Sequence, residues 1–379
     1  MKKGKFTALF FVICLCAVQI FCLFKPQVEF SENENRNLQT FPELSLKTVF
    51  GGQFMKQFDS FTADQFLFRD HWVSLATREL LAIGKRDNQK TYFGKDGYLF
   101  AIDTIDNSQF SKNKELLREF LQKIKQEHPD IRSTVMVVPT SSAILTEKLP
   151  YGAPVPDEIP LIEEIGVSVD GLATFCNPVP ELQAHTGEEI YYRTDHHWTS
   201  LGAYYAYTAW AKTQGIVPHD LQDYEIRTVS DSFLGTTYSK ANLSSISPDS
   251  IQTFTLFHAP KPSMQVNTGK EIKYFDSLYD ESYLSKKDQY SYFLSSNNPL
   301  VSIETGVKNG KTLLVLKDSF ANAFLPFLTE EYERILVVDP RYQRSGILDM
   351  LQQETITDIL VLYNIVNFAN DTNLIFLVR

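Results

Sequence analysis

Four short apolar runs constrain this chain more than any other feature. Thr134–Val138, Thr312–Leu316, Ile335–Val338 and Ile359–Leu362 are each almost continuous in Val, Leu, Ile and Met. A strand with one wet face alternates apolar and polar residues, whereas a continuous run belongs to a strand covered on both faces. Helical stretches near 320–331 and 345–354 separate the last three runs. An amphipathic stretch, Lys112–His128, precedes the first, with Leu116, Leu117, Phe120, Leu121 and Ile124 on one face and Pro129 ending it. Buried strands alternating with helices predict an α/β fold around a doubly wound, mostly parallel sheet.

The first 25 residues stand apart. Three lysines (Lys2, Lys3 and Lys5) precede an apolar run from Phe6 to Phe24 that only Thr7 and Gln19 interrupt. As a helix, those residues rise about 28 Å, close to the thickness of the hydrocarbon core. The exit, Ile20-Phe21-Cys22-Leu23-Phe24-Lys25-Pro26, is too bulky for a signal-peptide cleavage site. An uncleaved, single-pass anchor over residues 1–25 is the reading preferred to a cleaved leader. The lysines hold the tip in the cytoplasm, and residues 26–379 lie outside it. Cys14, Cys16 and Cys22 fall inside the anchor, which leaves Cys176 alone outside and excludes a disulfide framework.

Charge narrows the function classes. The chain carries a formal charge of −10, and residues 26–379 hold 32 basic against 46 acidic side chains, a balance of −14. Phosphate-backbone binding needs clustered Lys and Arg, so nucleic acid is excluded as a partner. Elsewhere, Ser31–Leu38 reads as a solvated tether or edge segment. Gly52–Leu80 reads as helical, with an aromatic stripe (Phe54, Phe58, Phe61, Phe66, Phe68, Trp72) assigned to core. Thr91–Phe100 reads as a hairpin around Gly-Lys-Asp-Gly, and about 212–300 as irregular decoration.

Two segments carry chemistry. Tyr191-Tyr-Arg-Thr-Asp195-His196-His197-Trp198 packs a carboxylate, two imidazoles and an indole together just before a helix over Ala203–Lys212. Leu313-Leu-Val-Leu-Lys317-Asp318-Ser319-Phe320-Ala-Asn322 places a serine just past a buried strand, where a doubly wound sheet opens its ligand crevice. On one extended segment, Asp195 and His197 point the same way, so the acid can fix the base's tautomer while the base takes a proton from Ser319. Three readings stay open at this point. The residues form a Ser-His-Asp triad, or the histidines and Asp195 bind zinc, or the histidines are inert core and Ser319 or Asp318 only caps a helix.

These motifs resemble the DHHW family, named for the residues found here as Asp195-His196-His197-Trp198. That family is similar to the alginate O-acetylation proteins AlgJ and AlgX, permuted members of the SGNH hydrolase superfamily. The likeness extends through Ser31–Arg36, Phe66–Asp70, Gly94–Phe100, Lys317–Asn322 and Asp339-Pro-Arg341. It implies an SGNH-like three-layer α/β/α fold with irregular insertions, and Ser319 as nucleophile, His197 as base and Asp195 as its orienter. His196 and Trp198 border that site. Lys317 stands where SGNH enzymes usually carry Gly, so the oxyanion donors are sought in Asn322 or Asn297, with Arg341 a candidate for an anionic or glycan group. No metal or cofactor is implied.

The resulting expectation is a membrane-anchored O-acetyltransferase of a surface or exported polysaccharide, working through an acyl-enzyme. The resemblance also implies a membrane-bound O-acyltransferase as the acetyl source. The alternatives are a carbohydrate acetyl esterase with the same triad and a non-catalytic glycan-binding component of export machinery.

Overall fold

The computed structural model describes residues 2–378 except 32, 33, 35, 244 and 345, and gives only the backbone of 2–4, 14, 15, 19 and 23. Glu32, Asn33 and Asn35 of the Ser31–Leu38 segment, and the side chains of Lys2, Lys3 and Cys14, therefore lie outside the described residues. The chain forms two compact units, residues 1–88 with 239–245, and residues 89–238 with 246–379. The boundary at 88/89 falls inside the stretch that the sequence assigns to one external domain.

In the first unit, α1 (Lys2–Phe24) contains an 18-residue apolar window, Lys5–Cys22, long enough to cross a bilayer. Two-residue strands β1 (Phe30–Ser31) and β2 (Arg36–Asn37) pair antiparallel. Here the tether expectation is corrected. Arg36 donates to Asp64 at 2.5 and 3.0 Å and to Glu34 at 2.6 Å, which pins the segment. After a short helix α2 (Leu46–Phe50), the stretch expected as helical, Gly52–Leu80, holds two helices, α3 (Gln53–Asp64) and α4 (Arg69–Ala82). Phe68 breaks α3 from α4 with a left-handed φ of 55°. The aromatic stripe is not core either. Phe61 alone of its six rings is buried, and Phe68 and Trp72 are 65% and 55% exposed.

The second unit is built on an eight-stranded sheet. In chain order its elements are the hairpin β3 (Thr91–Phe93) and β4 (Leu99–Ala101), then α5 (Asn107–Glu127), β5 (Arg132–Val138), α6 (Ser141–Ile144), α7 (Glu158–Ser168), β6 (Thr174–Cys176), α8 (Val179–Ala184) and α9 (Ser200–Thr213). There follow β7 (Tyr224–Phe233), α10 (Thr236–Ala241, whose residues 239–241 belong to the first unit), β8 (Asp249–Leu256), β9 (Ser263–Asn267), β10 (Ile272–Phe275), β11 (Leu300–Glu304), β12 (Thr312–Lys317), α11 (Ala321–Phe324), β13 (Arg334–Val338), α12 (Ile347–Gln353), β14 (Asp358–Asn364) and α13 (Ile365–Asn370). Helix α5 starts five residues before the expected Lys112, because Asp106 caps it by accepting from the Ser108 and Gln109 N–H groups.

The strand order is β10-β9-β11-β13-β12-β14-β5-β6, parallel from β13 to β6 and antiparallel from β10 to β13. All four apolar runs are central strands, and Val135–Val138, Leu313–Leu316 and Leu360–Tyr363 are at most 1% exposed. Helices α5, α7 and α13 pack together as one layer, and α8, α9 and α11 as the other, which is the expected three-layer α/β/α arrangement. The 212–300 region is more regular than expected. It supplies the antiparallel β7–β8 ladder and the strands that extend the sheet through β9, β10 and β11. Strands β9 and β11 alternate buried and open positions while β7 and β10 are mostly exposed, so these four carry no continuous apolar run. The helix expected at 320–331 is only the four-residue α11, continued by a tight turn over Leu325–Leu328 that contains Pro326.

Candidate active site

Three of the parallel strands deliver polar residues to their carboxyl ends. β12 runs into Asp318-Ser319, β13 into Asp339-Pro340-Arg341, and β14 ends at Asn364. Asp318 ties two of these ends together. Its carboxylate accepts from the Phe320 N–H at 3.0 Å, the Asn364 N–H at 2.8 Å and the Asn367 side-chain amide at 2.8 Å. Burial raises the Asp318 carboxyl above its usual value even against these donors. The cap reading fits neither residue: Phe320 precedes α11 and no side chain caps that helix, and the Ser319 hydroxyl points elsewhere.

That hydroxyl meets His197. Ser319 Oγ lies 2.7 Å from His197 Nε2, and His197 Nδ1 lies 2.5 Å from Asp195 Oδ1. All three residues are buried, Ser319 the most open at 7%. The pairing of Asp195 with His197 does not come from an extended segment. An antiparallel bridge between Tyr191 and Trp198 closes a bend, inside which Asp195 Oδ1 also accepts the His197 backbone N–H at 3.0 Å. The bend is anchored by Asp249, which accepts from the Arg193 and Thr194 backbone N–H groups and from both side chains.

The second carboxylate oxygen of Asp195 accepts from the Thr236 N–H at 2.7 Å and its hydroxyl at 2.9 Å. The approach is close enough that a Cβ at Gly235 would fall on the Asp195 side chain. Since the Thr236 hydroxyl donates to Asp195, it accepts from His196 Nδ1–H, 2.7 Å away. Burial raises the Asp195 carboxyl, but the charges and hydrogen bonds of His196 and His197 outweigh it and hold the group well below the carboxylate range. Burial, helped by His196, pushes the His197 imidazole down to about 4, with Asp195 pulling the other way. Tyr290 holds the ring from the side. It stacks on His197 with centroids 3.8 Å apart at 8°, and its hydroxyl donates to the Ser319 carbonyl at 3.1 Å.

The remaining candidates fall into place around this relay. Trp198 is fully buried, donates its indole N–H to the Phe320 carbonyl at 2.9 Å and packs on Phe320 and Phe324. It holds the two motifs together from below. Lys317, also buried, donates to Asn297 Oδ1 at 2.6 Å and Asn322 Oδ1 at 2.8 Å, with Asp339 Oδ2 at 3.6 Å. Burial pushes its ammonium down to about 8 against the pull of Asp339. Asn322 also donates to Asn297 Oδ1 at 3.3 Å, so both ends of its amide are occupied. The Asn297 amide nitrogen and the Ser319 backbone N–H meet no acceptor among the described residues. Asn297 follows three consecutive left-handed residues, Leu294, Ser295 and Ser296, with φ of 56°, 53° and 79°. Arg341 is clamped on buried Asp339 through Nε at 2.9 Å and Nη2 at 2.6 Å.

Asp195, His196 and His197 bring donor atoms within 4.8 Å of one another, so the zinc reading is geometrically open. Both His197 nitrogens already have partners, however, and a metal there would break the contact to Ser319 or to Asp195. Sequence reasoning missed Gly235, Thr236, Asp249 and Tyr290. None carries a local pattern: Gly235 lies in a loop, Thr236 opens α10, Asp249 opens β8 and Tyr290 sits in a 3-10 turn over Gln289–Tyr292.

With this geometry in view, likeness to known proteins becomes informative. Residues 174–338, which hold the whole relay, match the model of the DHHW protein family. Residues 92–230 match the SGNH hydrolase-like domain of the acetyltransferase AlgX. Among solved structures, a DHHW family protein from Eubacterium siraeum is similar at 26% identity and a TM-score of 0.66, covering 77% of this chain and 95% of its own. Bacillus cereus PatB1 shares the fold at 19% identity and a TM-score of 0.61, covering 74% of this chain and 97% of its own. None of the curated proteins compared matches the chain. The DHHW motif thus sits on an SGNH-like fold, and its Asp and second His are the pair that meets Ser319.

Proposed function

We propose that this protein is an extracytoplasmic O-acetyltransferase that acts on the hydroxyls of a polysaccharide. The observation that carries the proposal is the continuous hydrogen-bonded relay Ser319–His197–Asp195 at the carboxyl edge of the sheet. The AlgX acetyltransferase match over residues 92–230 supports acyl transfer as the reaction class. Ser319 Oγ gives its proton to His197 Nε2 and attacks the acetyl carbonyl carbon, and the imidazolium then protonates the leaving oxygen. A sugar hydroxyl repeats these steps in reverse, giving its proton to His197 and taking the acetyl group from Ser319. Asp195 holds the tautomer with Nδ1 protonated.

The developing oxyanion is assigned to the Ser319 backbone N–H and the Asn297 side-chain amide, the two donors left unoccupied beside the nucleophile. Lys317 positions Asn297, because its ammonium and the Asn322 amide both hold the Asn297 carbonyl and so direct the nitrogen the other way. Arg341 and His196 line the approach for the acceptor glycan. The N-terminal helix is read as a single-pass anchor in the cell membrane, with a membrane-bound O-acyltransferase as acetyl source.

The test is product analysis with the full chain in detergent, an acetyl ester donor and a glycan acceptor. O-acetylated glycan that requires Ser319 is the expected product. Free acetate alone at saturating acceptor would make the protein an esterase. No turnover of any ester would leave only the glycan-binding role.

A further inference from the structure

The second unit holds a cleft of about 570 Å³ that none of the triad residues lines. It lies between the β7–β8 ladder, the Ala259–Pro262 loop, the segment after β10 and the turn beyond α11. That volume is in the range of sites that hold small ligands. The floor is buried and largely apolar, with Phe254, Leu278 and Tyr292 at 3–5% exposure. The rim is charged and exposed, and it carries Glu225, Arg227, Lys261, Asp276 and Glu281. Among the described residues none of these five side chains makes an ion pair or hydrogen bond. Three acids against two bases leave neither sign in command, so the rim does not select an ion.

Two tyrosines set the chemistry of the lining. Tyr279 and Tyr292 stack with centroids 5.0 Å apart at 9°. Among the described residues neither phenol has a hydrogen-bond partner. Burial pushes the Tyr292 hydroxyl up to about 12, with Glu281 raising it further and Arg227 lowering it, so charges of both signs stand around it. A buried phenol usually finds a partner, and this pair brings two unspent hydroxyls to the cleft. A sugar ring has C–H groups on its faces and hydroxyls on its edges. It therefore packs flat on aromatic side chains while its edges exchange hydrogen bonds with tyrosines, carboxylates and guanidinium groups.

The cleft is also tied to the triad. The turn Gln289–Tyr292 carries Tyr290, which stacks on His197, and two residues later Tyr292, which lines the cleft. Their Cα atoms are at most about 7.6 Å apart. Ser230 of β7 donates to Gln289 at 2.6 Å and fixes this turn against the ladder.

We infer that the Tyr279–Tyr292 cleft is a binding site for an uncharged glycan chain, a subsite that holds the acceptor polysaccharide beside the triad. That the occupant is the acetyl acceptor rests on the acyl-transfer reading; that the cleft binds it does not.

Calorimetric titration of the full Ser319→Ala chain in nanodiscs tests the binding, with cellohexaose and chitohexaose as uncharged chains and hexagalacturonic acid as the anionic comparison. One site for an uncharged hexamer is expected, weakened at least about tenfold by Arg227→Ala combined with Tyr292→Phe, as for the loss of two hydrogen bonds. Arg227→Ala alone, at an exposed position, reads the same way should the pair lower the melting temperature. No binding of either uncharged hexamer, binding that these variants leave intact, or preference for hexagalacturonate would overturn the inference. With Ser319 restored, the same variants should raise the KM for a hexamer acceptor and leave hydrolysis of a small acetyl ester unchanged. An unchanged KM would overturn the acceptor assignment. Absence of any ester turnover by the wild type would sink the acyl-transfer reading alone, since the titration decides the cleft.

Discussion

At Gly235, one added methyl group would collide with the Asp195 carboxylate. Gly235→Ala should therefore displace Asp195 and lower kcat by about 10- to 100-fold, with a stability loss of about 1–3 kcal/mol as for other overpacked sites. Steady-state kinetics and thermal melting check both. The pH profile follows from the two perturbed bases. With His197 held down to about 4, the base stays neutral well below the ordinary imidazole value of about 6.5. The acid limb of kcat/KM should lie near pH 4. The sign for stability is the same. Between about 4 and 6.5 the unfolded chain binds more protons at this residue than the native one, so stability at this site rises with pH through that window and is lost on acidification. Lys317, pushed down to about 8, should add an alkaline limb near pH 8 that Lys317→Met removes while lowering the plateau. The triad residues were readable because two compact motifs carry them. Their supports were not, since Thr236 and Tyr290 reach Asp195 and Ser319 across 41 and 29 residues of chain, and no local spacing marks such a contact.

The central strands were legible as elements because both of their faces are buried, which leaves an unbroken apolar run. The β7–β11 region was not, because a strand with one wet face and frequent Ser, Asp and Pro looks like a loop. The aromatic helices of the first unit misled for a related reason. Periodicity reports that a helix has an apolar stripe, but not that something covers it, and Phe68 and Trp72 remain exposed. Helix ends follow their caps. Asp106→Ala should remove the acceptor for the Ser108 and Gln109 N–H groups and cost about 1 kcal/mol. A lower midpoint in urea with an unchanged slope would register that loss, and an unchanged midpoint would mean that the cap contributes nothing.

For the whole molecule, the sheet explains why residues from 195 to 341 share one site. Parallel strands β12, β13 and β14 end on the same edge, and the irregular segments around them fold over that edge with Asn297, Tyr290 and Thr236. Cys176 is buried in the second unit, and burial pushes its thiol up to about 12. The acyl-enzyme is the point on which the functional account stands. Intact-protein and peptide mass spectrometry after brief exposure to an activated acetyl ester tests it most directly. The account predicts one added acetyl group on the peptide containing Ser319, absent from Ser319→Ala and accumulating when His197 is replaced only far more slowly. An unmodified Ser319 during turnover, or full turnover by Ser319→Ala, would contradict it.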